Sequence, residues 1–67
     1  MSANDDAELI VKEAQQEAEP ARALELLRSA RDLLIKAGGI GNQRMAARVV
    51  KLVIDKSTEI DRRASGQ

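Results

Sequence analysis

Apolar positions recur along this chain at intervals of three and four, and they divide it into three segments. In the first, Ala7, Val11, Ala14 and Ala18 follow one another at spacings of four, three and four, with Ile10 alongside. That is the stripe of a helix with 3.6 residues per turn. Ser2 or Asn4 is placed to cap its start, and Asp5, Asp6 and Glu8 suit the positive end of a helix dipole. The stripe is narrow and alanine-rich, so this helix, over about residues 5–18, is expected to be the least firmly packed.

Pro20 is the only proline. It has no N–H and a fixed φ, so it fits the first turn of a new helix, and it pushes Glu19 toward an extended conformation. The pattern predicts a break at 18–20; one long helix from about 5 to 37, bent at Pro20, is the alternative. The second helix, 20–37, carries Leu24, Leu27 and Leu34 on one face, widened by Ala23, Leu26, Ala30, Leu33 and Ala37. With Gly39 as a left-handed residue after its end, Ile40 and Ile35 fall at the two positions that touch in a Schellman motif. The turn is expected over 38–42, with Asn42 as N-cap of a third helix, 43–63.

In that third helix Met45, Val49, Leu52, Val53 and Ile60 form the main stripe, with Ala46 and Val50 beside it. The β-branched run 49–54 also reads as a strand, but no second strand exists to pair with it, and an isolated strand leaves its backbone unsatisfied. Read as helix, the stretch is apolar around more than half its circumference, which calls for cover on two sides. Residues 64–67 are expected to fray. The second helix, through Ala23, Leu24, Leu27 and Ala30, resembles the second helix of a tetratricopeptide repeat. The first helix has small residues where that family has a glycine and large aromatics, and no functional residue is carried over.

Composition sharpens the picture by what it omits. In 67 residues there is no histidine, cysteine or aromatic side chain. The commonest general base, thiol nucleophile and zinc ligands are therefore missing, as are the rings that stack on bases. Disulfides cannot brace the core, and no Asp-x-Asp-x-Asp-Gly loop is present to hold a metal. No cofactor, metal or small-molecule substrate is expected, nor catalytic residues. A chain this short buries only about 60% of its unfolded surface, so oligomerisation is the expected remedy. The first six residues are acidic where a secretory leader would be basic, and no apolar run approaches the roughly 20 residues of a membrane span; a cytoplasmic location with no membrane contact is the simplest expectation.

Net charge is zero but unevenly placed. Residues 1–19 hold six acids against Lys12, and 38–67 hold six bases against three acids. The acidic first helix could therefore lie over a basic face of the third. Arg44, Arg48 and Lys51 share one helix face at i, i+4 and i+7, a possible nucleic-acid contact with phosphates, opposed by the zero net charge and by Asp55, Glu59 and Asp61. Gly38-Gly39-Ile40-Gly41 precedes a helix but follows another and lacks the Gly-Lys-Ser/Thr of a phosphate loop, so it reads as a turn. The acidic pairs on helices one and three read as solvated faces.

These observations predict an all-α fold: an antiparallel hairpin of the second and third helices, an added N-terminal helix, and a homodimer completing a four- to six-helix bundle through Leu27, Leu34, Val49, Leu52, Val53 and Ile60. The expected function is non-enzymatic protein binding through a helical groove, as a small adaptor, chaperone-like subunit or regulator. The alternative is a DNA- or RNA-binding regulator using Arg44, Arg48 and Lys51.

Overall fold

A computed structural model describes residues 2–66. The fold is all-α, with α1 (Ala3–Gln16), α2 (Pro20–Ala37) and α3 (Ile40–Ser65), and no strand among the described residues. The run 49–54 is helical, as a stretch with no strand partner must be.

Helix α1 is capped by Ser2, whose Oγ accepts from the Asp5 N–H at 3.2 Å. It ends at Gln16, two residues before the end that the apolar stripe suggests. Glu17 turns to an extended conformation (φ −75°, ψ 123°), and its N–H closes a tight bond of 3.3 Å to the Ala14 carbonyl. Ala18 thereby leaves the stripe and is exposed. Glu19 is also extended (φ −88°, ψ 114°), the conformation a following proline imposes, so α1 and α2 are separate helices and the single bent helix is ruled out. The break is pinned locally. The Glu17 carboxylate accepts from the Glu19 N–H at 3.2 Å and lies 3.5 Å from the Arg22 guanidinium.

The reversal between α2 and α3 is tighter than the sequence suggests. Gly38 (φ 72°, ψ −175°) and Gly39 (φ 91°, ψ 153°) both lie at positive φ with extended ψ, a region only glycine visits freely. The Gly38 N–H reaches the Leu34 carbonyl at 3.1 Å, and the Gln43 N–H already bonds Gly39 at 2.9 Å. Helix α3 therefore begins at Ile40. Asn42 sits inside its first turn, and its side-chain amide donates to the Gly38 carbonyl at 2.7 Å, satisfying an acceptor that the end of α2 leaves open. The Ile35–Ile40 contact of a Schellman motif is not made: the two side chains are 61% and 72% exposed. Two successive glycines turn the chain before Ile40 can fold back. At the other end α3 stays helical through Ser65, where fraying was expected from 64 onward; Gln67 lies outside the described residues.

Helix α2 is central. It packs along both neighbours, while α1 and α3 meet at few points. The buried residues are Ala7 and Ala14 on α1, Ala23, Leu27, Ala30 and Leu34 on α2, and Ala46, Val49 and Val53 on α3. More than half of them are alanines, small side chains that permit close helix packing. Of the six residues expected at a dimer interface, Leu27, Leu34, Val49 and Val53 are thus buried within one chain. Helix α1 packs along α2 and scarcely touches α3. Leu52 and Ile60 remain half-exposed.

Two stability outcomes follow. Leu34 is fully buried, so Leu34→Ala costs about 2–5 kcal/mol, a large share of the total of about 3–10 kcal/mol typical of a chain this size; urea denaturation reads it. No atom lies within 4 Å of a Cβ built on Gly38, Gly39 or Gly41, which isolates the backbone term. Gly38→Ala and Gly39→Ala each lower stability by about 1–3 kcal/mol, whereas Gly41→Ala, at an ordinary helical position, leaves it unchanged or raises it by up to about 1 kcal/mol.

Candidate functional site

Because α1 and α3 both lean on α2 but scarcely touch each other, an open groove runs between them. Residues on α1 at spacings of four and three, Asn4, Glu8, Val11 and Gln15, form one wall together with Lys12. Met45, Arg48, Val49 and Leu52 of α3 form the other. This first compartment has a volume of about 270 Å³. A second, of about 290 Å³, continues it: Ala14 and Gln15 on α1, Leu27 of α2 beneath, and Leu52, Asp55, Lys56 and Glu59 on α3. Gln15 and Leu52 belong to both compartments. Residue numbers rise in the same direction along both walls, so the groove follows the helix axes.

The floor is apolar and the rims are charged. Val11, Met45 and Leu52 are half-buried and packed against the core; each keeps part of its surface for a further contact. Met45 adds an unbranched, polarisable side chain that adapts to what it meets. Of the residues expected at an interface, Leu52 lines the groove along its length, Leu27 and Val49 contribute at its base, and Leu34, Val53 and Ile60 do not line it. The α1 wall was not foreseen, although its signal is present in the 4-8-11-15 spacing. That stripe is polar at three of four positions and reads from sequence as a solvated face.

Arg44, Arg48 and Lys51 are all exposed. Arg48 stands on the groove wall, and Arg44 and Lys51, one turn away on either side, continue its stripe. The ion pairs of α3, Lys56–Glu59 at 3.3 Å and Arg63–Glu59 at 3.6 Å, both lie beyond this stripe. Arg44, Arg48 and Lys51 hold no ion pair among the described residues. Docking of the acidic helix over this basic face is not how α1 packs. It lies against α2 through Ala7 and Ala14, with Ile10 and Val11 packed on the same core.

Among the described residues, no polar or charged side chain is buried and no group of three or more carboxylates is placed to hold a metal ion. No helix there is long and apolar enough to cross a membrane. What lies between α1 and α3 is an open groove lined by apolar and charged side chains. No protein-family model, curated protein or solved structure matches the chain.

Since apolar contacts hold α1, its hydrogen-exchange protection should change by less than about threefold between 0.05 M and 1 M salt, a range that shrinks the Debye length from about 14 to about 3 Å. A large loss of protection confined to α1 at high salt would mean that charge, not the alanine seam, fastens it.

Proposed function

We propose that this chain is a non-enzymatic protein-interaction module, a small cytoplasmic adaptor, chaperone-like subunit or regulator, that receives a helical segment of another protein. An antiparallel α2–α3 hairpin is its frame and the α1–α3 groove its binding surface. The observation that carries this reading is the groove, whose half-exposed apolar floor lies between two helices and matches the helix-in-groove mode of recognition. Surface area supports it. The chain exposes 4881 Å², against about 4,200 Å² expected for a compact monomer of its mass. The surplus approaches the roughly 800 Å² that one partner contributes to a standard interface.

The homodimer takes second place within this reading. With Leu27, Leu34, Val49 and Val53 committed to the chain's own core, a second copy would meet Leu52, Ile60 and the scattered exposed residues Leu9, Ile35, Ile40 and Ile54. The alternative function, a DNA- or RNA-binding regulator, is favoured by one observation: Arg44, Arg48 and Lys51 are exposed, unpaired and on one face. It is opposed by the zero net charge, since phosphate contacts supply most non-specific affinity.

Two measurements separate the readings. Helical peptides selected from a display library should bind wild type and lose about tenfold or more in affinity on Leu52→Glu, while Glu25→Arg, on the exposed side of α2, leaves binding intact. Mixed-sequence duplex DNA, titrated at low and physiological salt, should show no salt-dependent binding at micromolar protein; binding that weakens steeply with salt and is lost on Arg48→Glu would favour the nucleic-acid function.

A further inference from the structure

The groove has an internal order that specifies what kind of helix it takes, given the protein-binding reading above. Its two compartments are offset along α3. The first is walled by Met45, Arg48, Val49 and Leu52, the second by Leu52, Asp55, Lys56 and Glu59. The centre of the second set lies seven positions beyond that of the first, about 10 Å at a rise of 1.5 Å per residue. Each compartment, at about 270 and 290 Å³, falls below the usual range of about 300–1,000 Å³ for a small-molecule site. Two modest hollows in line, two helical turns apart, the first of mixed polarity around Val11, Met45 and Val49 and the second mainly apolar, suit two side chains at i and i+7 of a docked helix.

Charge differs between the compartments. No acidic residue occurs between Asp32 and Asp55, so the α3 stripe beside the first compartment, Arg44, Arg48 and Lys51, is wholly basic. Glu8 and Lys12 on the facing wall offset each other. At the second compartment the α3 wall holds Asp55 and Glu59 against Lys56, and Glu59 is paired with both the Lys56 ammonium and the Arg63 guanidinium. The groove is therefore positive at its α1/α3 N-terminal end and charge-balanced at the other, where Asp55 is the wall carboxylate that lies outside an ion pair among the described residues.

We propose that the groove binds an amphipathic helix carrying two large apolar anchors seven residues apart, with acidic residues beside the anchor seated at Met45 and Val49, and basic residues beside the anchor seated at Leu27 and Leu52. Natural helices place acids early and bases late, in keeping with their dipole. Such a helix lies parallel to α3. The absence of aromatic rings on this side leaves any aromatic anchor to the partner, where hot-spot residues are commonest.

Three labelled peptides of about 18 residues, long enough to hold helical structure once docked, test this by fluorescence anisotropy at low salt: one with Leu anchors at i and i+7 and acid-to-base flanks, one with the same anchors and lysine at every flank, and one with both anchors changed to alanine. The first should bind at least about tenfold tighter than either of the others. Arg44→Glu combined with Arg48→Glu, both at exposed positions that leave the helical circular dichroism unchanged, should erase its advantage over the all-lysine peptide. A nitroxide on its acidic end should broaden the amide signals of residues 44–49, and one on its basic end those of 55–59. Equal binding of the two anchored peptides, or a reversed broadening pattern, overturns the charge order while leaving the groove as a helix site. Failure of all three to bind overturns the helix-binding reading as well. Self-association abolished by Leu52→Glu, or displacement of the peptide by duplex DNA, would assign the groove to a second copy or to nucleic acid and overturn the proposal.

Discussion

A core built without aromatic rings has to gain its contacts by proximity, and everything else in this molecule depends on that constraint. Alanines on all three helices are buried, and their small side chains let α2 pack against two neighbours at once. Burial per residue is low, but little side-chain entropy is lost on burying alanine. Leu34 and Val49 are the largest side chains sealed from water. Helix α1, thin as its stripe is, brings enough small residues to pack along α2.

The helical class was legible because the period of the apolar positions speaks directly to backbone geometry. The partition at Pro20 was legible for the same kind of reason, since the missing N–H and the clash with the preceding residue act locally. What periodicity could not supply was how a stripe would be shared. Leu27, Leu34, Val49 and Val53 look alike whether they face their own chain or another, and only the position of α1 decides between the two. Asn42 shows a second limit. An asparagine just after glycines suits an N-cap, but two consecutive positive-φ residues start the helix earlier and turn its amide back toward α2.

The groove was the least legible feature. One wall is polar, and polar residues at helical spacing are ordinary solvent-facing positions until a second helix stands opposite them. The basic stripe of α3 could be read from its spacing, but its relation to an apolar trough depends on α1 and α3 diverging. The chain is also elongated: its radius of gyration is 12.4 Å and its longest extent 42 Å, where a compact fold of this length has a radius of about 11 Å, and the 26-residue α3 alone is about 39 Å long. Elongation on this scale exposes the flanks of helices that a rounder bundle would hide.

The turn between α2 and α3 has a stereochemical consequence. Reflected through a mirror, the dihedrals of Gly38 and Gly39 become those of ordinary extended backbone. The two positions are therefore locally right for residues of the opposite hand. A D-alanine at either site in a synthetic chain would meet the backbone dihedrals it favours and would remove unfolded-state freedom, converting the most permissive point of the backbone into a rigid one.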